Sequence, residues 1–124
     1  MAKPGRTGIT RLIAATRYSW QGLSAAWRFE QAFRQEAVLA MLGFPLALLV
    51  ADNRVEFLLL TLPLLLLLLT ELANSAIEAV VDRFEDGRSE LAGRAKDMGS
   101  AAVFMASLIA GLAWLPLLVP AHWY

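Results

Sequence analysis

Acidic and amide side chains recur at helical spacing in the segment ELANSAIEAVVD, residues 71–82, directly after a run of leucines. At about 100° per residue, five polar side chains share one stripe of a helix about 100° wide: Glu71, Asn74, Ser75, Glu78 and Asp82. An ionisable group that faces lipid is costly. The stripe is therefore expected to face other protein or a water-filled cleft.

The same stripe carries no lysine or arginine, and aligned carboxylates without a balancing cation favour a divalent metal. Mg²⁺ typically takes one or two carboxylates together with phosphate oxygens and water. Glu30, at the start of an earlier apolar segment, is a candidate ligand beside Glu78, which leaves Glu71 free to act as a general base. These residue types predict metal-assisted chemistry at the cytoplasmic membrane surface, and they do not by themselves name the reaction.

Phosphate chemistry is compatible with the basic residues that follow the stripe, because Arg88, Arg94 and Lys96 could bind polyphosphate. The usual phosphate-binding and kinase signatures, such as GxxxxGKS/T, GxGxxG, HRD and DFG, are missing from the sequence. The chain also has no cysteine, which excludes disulfides, thiolate metal sites and cysteine nucleophiles. A nucleotide-using enzyme with this sequence would therefore need an architecture of its own.

The stripe is also compatible with two structural roles and two further functions. The end of a helix emerging into water would suit Asp82 and Glu78, although Glu71 lies about 16 Å below Asp82 along a helix. A structural seam between helices would suit the small and polar residues 73–76. Among functions, an ion-coupled transporter could use Glu71 as its proton carrier, and a non-catalytic assembly subunit could use the seam for oligomer contacts.

Three apolar segments must position these residues, and they make the chain an all-α membrane protein. Hydrophobic residues form 58% of its 124 residues, above the roughly 45–50% of soluble domains, and the length suits one domain, residues 1–124. Because a span needs about 20 mainly apolar residues, we predict transmembrane helices at about 30–51, 56–82 and 97–120. Residues 9–28 place apolar side chains on one arc beside several arginines, which predicts an amphipathic helix at the membrane surface.

Basic residues are distributed unevenly between the connections, and this asymmetry predicts the orientation of the chain. The N-terminal section carries six of them: Lys3, Arg6, Arg11, Arg17, Arg28 and Arg34. The connection between the second and third apolar segments carries four more: Arg83, Arg88, Arg94 and Lys96. By the positive-inside rule these two sections are cytoplasmic. The N-terminus is therefore expected in the cytoplasm and the C-terminus in the periplasm.

Three long motifs carry a family resemblance: GITRLIAATRYSWQGLSAAWRFEQAFRQE, ELANSAIEAVVDR and ELAGRAKDMGSAAV. Over residues 8–114 the chain resembles the prokaryotic diacylglycerol kinases, small three-span lipid kinases unrelated to soluble kinases. The resemblance implies a homotrimeric helical bundle with composite active sites in the bacterial inner membrane, and no nucleic-acid partner. It also implies Mg²⁺-assisted transfer of the ATP γ-phosphate to the primary hydroxyl of sn-1,2-diacylglycerol, giving phosphatidic acid. Undecaprenol kinases of the same family are the alternative.

The resemblance also implies roles for individual residues. Glu71 would be the catalytic base with Asn74 supporting it, and Glu30 and Glu78 would hold the metal. The implied ATP-binding residues are Arg11, Tyr18, Glu30, Glu78, Gly87, Arg88, Ser89, Lys96 and Asp97. The implied lipid-binding residues are Arg11, Ser19, Trp20, Trp27, Glu36, Glu71, Ser100 and Trp114.

Overall fold

The computed structural model describes residues 7–85 and 89–119, and throughout them every regular element is a helix. The elements are α1 (Gly8–Phe29), α2 (Gln31–Val50), α3 (Arg54–Glu85) and α4 (Glu90–Trp114), followed by one 3₁₀ turn (Leu115–Leu118). The predicted all-α class is thereby confirmed. The two predicted nucleotide contacts Gly87 and Arg88 lie outside the described residues.

Three of the helices are long and apolar enough to cross a membrane, and they correspond to α2, α3 and α4. The 20 residues of α2 give about 30 Å of helix, which matches the hydrocarbon core of a bilayer. The 32 residues of α3 give about 48 Å, so α3 extends about 18 Å beyond that core. Three helices that are able to span a membrane are thus confirmed, while their position in the membrane, the lipid-embedded limits and the single-domain assignment of residues 1–124 stay predictions.

Helix α3 packs antiparallel between α2 and α4, and small residues allow the close approach. A Cβ atom on Gly43 of α2 would come within 2.6 Å of Cδ1 of Leu64 on α3. The buried residues of α2 and α4 recur every seven positions: Phe33, Ala40 and Ala47, and Ala92, Gly99 and Ala106. A seven-residue repeat keeps one narrow face of each helix against its neighbour, as in left-handed helix pairs.

The inward face of α3 is a single seam that changes from apolar to polar along its length. Its residues are spaced by four, three, four, three and four positions: Leu60, Leu64, Leu67, Glu71, Asn74 and Glu78. The three leucines are about as buried as Glu71, at 5% and 6% exposed, and the last two residues are half-buried. The acids therefore continue the packing face that the leucines begin. We call these six residues the α3 seam.

An indole hydrogen bond fixes the far ends of α3 and α4 to each other. Nε1 of Trp114 donates to the main-chain carbonyl of Leu60 at 3.0 Å. Pro63, buried within α3, has no N–H and disturbs the helical hydrogen bonds of this stretch. The indole bond therefore joins α4 to a stretch of α3 whose helical hydrogen bonds are locally weakened.

Helix α1 is mostly exposed in the single chain, because only Ala14 and Ala26 are buried. Its tryptophans are open to the outside, Trp20 at 71% and Trp27 at 45% exposure. The helix ends at Phe29, and α2 begins two residues later. Helix α1 thus joins the bundle through one residue outside either helix and buries little surface against α2 and α3.

Candidate functional site

Glu71 is at the centre of the candidate site, on the α3 seam where leucines give way to polar residues. Its side chain is only 6% exposed. Among the described residues, its Oε2 atom is buried and has no hydrogen-bond partner. A buried polar atom without a partner is unusual in folded proteins and is characteristic of sites that receive a ligand or a proton.

Asn74, one turn above Glu71, connects the carboxylates of the seam. Its Nδ2 atom donates to Oε1 of Glu78 at 3.1 Å, and its amide also interacts with the carboxylate of Glu71. The other amide atom, Oδ1, is buried without a partner in the described part of the chain. It packs directly against Gly99 of α4, where any Cβ atom would collide with it. The geometry of the two acids thus depends on the absence of a side chain at position 99.

Two further glutamates come from the other helices and complete an acidic cluster. Glu30, between α1 and α2, is half-buried and repels the carboxylate of Glu71 electrostatically, as does Glu78. Glu36 of α2 is also half-buried and repels Glu71. Its Oε2 atom is buried without a partner among the residues that the structure describes. Three carboxylates, of Glu30, Glu36 and Glu78, therefore each interact with that of Glu71, and such like-charge pairs are unfavourable unless a cation or protons offset the charge.

The donor set fits Mg²⁺ better than a metal that requires a closed protein cage. Within the described ranges, no three acidic or histidine side chains converge on one point as complete metal ligands. Mg²⁺ commonly takes only one or two carboxylates and completes its shell with water and phosphate oxygens. Glu30 and Glu78, the two predicted metal ligands, are carboxylates of this kind and both interact electrostatically with Glu71, whose Oε2 atom has no hydrogen-bond partner among the described residues.

A cation borders the acidic cluster on the α4 side. Nζ of Lys96 forms an ion pair with Oδ1 of Asp82 at 2.9 Å. The ammonium group also interacts with the carboxylate of Glu78. Both partners of the ion pair are partly exposed, at 34% for the lysine and 52% for the aspartate. A charge in this position is accessible to an anionic ligand that approaches the outer end of the seam.

An apolar groove leads from the acidic cluster along the membrane-spanning part of the protein. It has a volume of about 550 Å³ and lies between α2, α3 and α4, with Glu36 at one end and Trp114 at the other. Most of the residues between them are aliphatic or small: Leu39, Leu42, Gly43, Leu46, Leu64, Leu67, Ala110 and Gly111. The groove suits an extended hydrocarbon chain with a polar group at the glutamate end.

Comparison with known proteins shows which family has this arrangement. The family model described as prokaryotic diacylglycerol kinase matches residues 17–118, which include the whole α3 seam and all four glutamates of the cluster. The chain belongs to the prokaryotic diacylglycerol kinase family. The resemblance of its motifs is thereby confirmed, and with it the assignment to the lipid kinases, which are transferases.

Curated relatives in this diacylglycerol kinase family match nearly the whole chain. A diacylglycerol kinase of Escherichia coli (strain K12) is 49% identical over 112 residues, covering 90% of this chain and 92% of that protein. The Haemophilus influenzae diacylglycerol kinase is 48% identical over 108 residues, which cover 87% of this chain and 92% of that protein. A Helicobacter pylori diacylglycerol kinase is 41% identical over 111 residues, which cover 90% of this chain and 87% of that protein. Membership favours the kinase over the ion-coupled transporter and the non-catalytic subunit.

Several of the other predicted site residues that the structure describes in this diacylglycerol kinase family member are exposed or bonded within their own helix. Five are exposed on the surfaces of α1 and α4: Arg11, Trp20, Trp27, Asp97 and Ser100. Tyr18 is half-buried and stacks with the guanidinium of Arg17, 5.6 Å from its ring centre. The hydroxyl of Ser19 donates to Ala15 O of its own helix. Ser89 caps α4, because its Oγ accepts a hydrogen bond from the N–H of Ala92 at 3.0 Å.

Two residues that shape the site were not found by reasoning from residue types alone. Glu36 was assigned to lipid contacts through the resemblance, yet it also faces Glu71 in the acidic cluster. Gly99 was not singled out, although Asn74 packs against it. The seven-residue recurrence of Ala92, Gly99 and Ala106 was a signal available in the sequence, because it marks the face of α4 that meets α3.

Proposed function

We propose that this protein phosphorylates the primary hydroxyl of sn-1,2-diacylglycerol with ATP, giving phosphatidic acid at the cytoplasmic face of the bacterial inner membrane. Its relatives of 48–49% identity are named diacylglycerol kinases. The observation that carries the proposal is the buried Oε2 atom of Glu71, without a partner among the described residues. It lies next to Glu36, where the apolar groove ends at the acidic cluster.

The depths of the two glutamates on α3 suit a lipid acceptor and a water-soluble phosphate donor. Glu71 and Glu78 are seven residues apart, which corresponds to about 10 Å along the helix. If the hydrocarbon core begins near Phe57, a span of about 20 residues ends close to Glu78. Glu71 would then lie just inside the bilayer, within reach of a diacylglycerol hydroxyl. Glu78 would lie at the aqueous edge, where ATP arrives.

Glu30 and Glu78 are the residues that would hold Mg²⁺. Mg²⁺ held there would supply positive charge that offsets the negative charge of the phosphates and of the leaving group. Asn74 keeps the carboxylates of Glu71 and Glu78 in a fixed relation through its amide. Lys96 supplies a further positive charge for the phosphates once its ammonium group leaves Asp82 and pairs with a phosphate oxygen.

The reaction needs little from the protein beyond positioning and one proton acceptor. Phosphoryl transfer proceeds in line and relies mainly on alignment and charge neutralisation. Glu71 accepts the proton of the lipid hydroxyl as its oxygen bonds to the γ-phosphorus. The bond between the γ-phosphorus and the oxygen that bridges it to the β-phosphate breaks, and ADP leaves with that oxygen. The hydrocarbon chain of the lipid occupies the groove between Glu36 and Trp114, which both belong to the predicted lipid-binding set.

The complete active site is a composite of neighbouring chains in a homotrimer. Arg11, Asp97 and Ser100 are exposed on the single chain, which suits contacts with a nucleotide or lipid bound between neighbouring chains. In this assembly Arg11, Tyr18, Gly87, Arg88, Ser89, Lys96 and Asp97 join the two metal ligands around ATP. The predicted lipid contacts are Arg11, Ser19, Trp20, Trp27, Glu36, Glu71, Ser100 and Trp114.

The proposed orientation puts the N-terminus in the cytoplasm and the C-terminus in the periplasm, with residues 1–124 as one domain. Helix α1 lies along the cytoplasmic membrane surface. The exposure of Ile9, Trp20 and Trp27 on α1, at 76%, 71% and 45%, supports this position. Such amphipathic helices bury tryptophan at the headgroup level and direct arginine toward anionic lipid.

The test is transfer of labelled phosphate from ATP to diacylglycerol by the purified protein in mixed micelles. We expect Glu71→Gln to reduce turnover by about 10²–10⁴-fold, the usual contribution of a general base, while the variant stays folded and binds ATP. Glu90→Gln, which removes an exposed carboxylate from the first turn of α4, is the matched control and should retain activity. Substantial turnover by Glu71→Gln would remove the base assignment. Undecaprenol, assayed side by side, should be the poorer acceptor.

A further inference from the structure

The candidate metal ligand Glu30 is also the only residue between helices α1 and α2. Its backbone is extended, with φ −113° and ψ 107°, so it belongs to neither helix. Its N–H donates to Ala26 O at 2.9 Å and its carbonyl accepts from the N–H of Arg34 at 3.2 Å. Glu30 therefore ends one helix and begins the next. The direction of its side chain depends on the angle between them.

This junction has little else to hold it. Helix α1 has only two buried residues, Ala14 and Ala26, and the single intervening residue allows the helices to rotate about its two backbone dihedrals. The carboxylates of Glu71 and Glu30 repel each other. Without a restraint, this repulsion would favour angles at which Glu30 swings away from α3 before a cation binds.

The side chain of Arg34 provides the restraint. From the first turn of α2, its Nη1 atom donates to Trp27 O at 2.8 Å and to Arg28 O at 3.1 Å. These carbonyls belong to the last turn of α1, where main-chain oxygens have no helical donor and a cation is favoured by the helix dipole. One planar guanidinium therefore connects both sides of the Glu30 junction. The side chain is itself half-buried.

We infer that Arg34 is a positioning residue that holds Glu30 in place for the divalent cation. The inference rests on the proposed role of Glu30 as a metal ligand. Arg34 need not contact the cation or either substrate. It acts by fixing the α1–α2 angle, so that the carboxylate of Glu30 is already beside Glu71 and Glu78 when the cation arrives. A ligand that is preorganised in this way loses less freedom on binding.

The sign of the effect distinguishes this role from simple electrostatics. Arg34 carries a positive charge four residues from Glu30, so deleting that charge should by itself strengthen cation binding. Deleting a positioning residue should weaken binding instead. Arg28→Gln is the matched control, because it also removes an arginine close to the junction. Arg28 is exposed, and its guanidinium lies 5.9 Å from the centre of the Phe29 ring.

The experiment measures Mn²⁺ affinity by electron paramagnetic resonance on the full-length protein in detergent, with a non-hydrolysable ATP analogue and no lipid. We expect Arg34→Gln to weaken Mn²⁺ binding by about 10–100-fold, the usual effect of losing a residue that orients a metal ligand. Arg28→Gln should leave it unchanged or slightly stronger. Arg34→Lys retains the charge and part of the hydrogen bonding, so it should weaken binding less than Arg34→Gln.

The junction angle can be measured directly, because the chain has no cysteine of its own. Spin labels on cysteines at the exposed positions Gln21 and Gln35, diluted with unlabelled protein, report the distance between α1 and α2. In the metal-free protein we expect Arg34→Gln to broaden the distance distribution and Arg28→Gln to leave it narrow.

The outcomes separate this inference from the proposed function. If Glu30→Gln leaves Mn²⁺ affinity unchanged, Glu30 is not a ligand and the proposed metal site fails. If Glu30→Gln weakens binding but Arg34→Gln leaves it unchanged or stronger, with a narrow distance distribution, the role of Arg34 is overturned and the metal site stands. Should Arg34→Gln not fold, Arg34→Lys decides the question, and unchanged Mn²⁺ affinity in that variant overturns the inference.

Discussion

Replacing Gly99 with alanine tests whether the packing of α4 against Asn74 fixes the acids of the site. The new Cβ atom would collide with Oδ1 of Asn74, which is already buried. The asparagine must then move and lose its hydrogen bond to Glu78, which is 3.1 Å long. We expect lower stability and lower activity from one added methyl group that touches no substrate.

The magnitude follows from three contributions to the free energy of unfolding. Overpacking typically destabilises by about 1–3 kcal/mol, and losing a hydrogen bond to a charged group removes about 1.5–3 kcal/mol. Alanine is better than glycine in a helix by about 0.5–1 kcal/mol, and the displaced amide recovers part of its bonding to water near the helix end. These values give a net loss of about 1.5–5.5 kcal/mol before that recovery, and we expect a value near the lower end. Turnover should fall at least about tenfold, equivalent to about 1.4 kcal/mol of transition-state stabilisation.

The assay combines unfolding by sodium dodecyl sulfate in mixed micelles, followed by circular dichroism, with labelled phosphate transfer. Gly93→Ala is the matched control, since a Cβ atom there has nothing within 4 Å, and it should be neutral or slightly stabilising. A double-mutant cycle isolates the contact. If Gly99→Ala costs as much in an Asn74→Ala background as in the natural protein, the collision with Asn74 is not the cause and the reasoning is refuted.

The other predictions concern the two ends of α4 and the outer end of the seam. Trp114→Phe should lower the free energy of unfolding by about 1 kcal/mol, because it removes the indole hydrogen bond to Leu60 O that joins α4 to α3; an unchanged denaturation midpoint would contradict this. Asp82→Asn should lower the KM for ATP, because Lys96 is released from its ion pair and can bind phosphate. The free energy of unfolding should change little, because exposed ion pairs add little stability. A higher KM would count against the exchange of Asp82 for phosphate at Lys96. Glu78→Ala should raise the Mg²⁺ concentration needed for half-maximal turnover by about 10–100-fold, and an unchanged requirement would argue against its role as a ligand.

The sequence predicted the helices and the polar stripe because both depend on short-range periodicity. Apolar segments of span length and the placement of Glu71, Asn74 and Glu78 on one face follow from the helical repeat alone. The stripe does face protein at Glu71, which is buried among the helices.

Contacts between helices were beyond reach for a physical reason, since periodicity gives the face of a helix but not the partner or the register. The meeting of Glu36 with Glu71, and of Asn74 with Gly99, depends on how α2 and α4 are aligned against α3. The bond from Arg34 to Trp27 O depends on the angle at a single junction residue. In the proposed homotrimer, the contacts of the exposed residues in the predicted nucleotide set also depend on neighbouring chains, which one sequence does not position.

For the proposed base Glu71, the regular spacing of the α3 seam makes the depth in the membrane a discrete quantity. Inserting one residue between Leu67 and Glu71 would turn the acids by about 100° toward lipid, because each residue advances the helix by that angle. Inserting seven would return them to the same face but move them about 10 Å nearer the water. A change in length of one residue therefore cannot place the acids at an intermediate depth on the same face. A kinase of this design can change the lipids it reaches by remodelling its groove far more readily than by moving its acids.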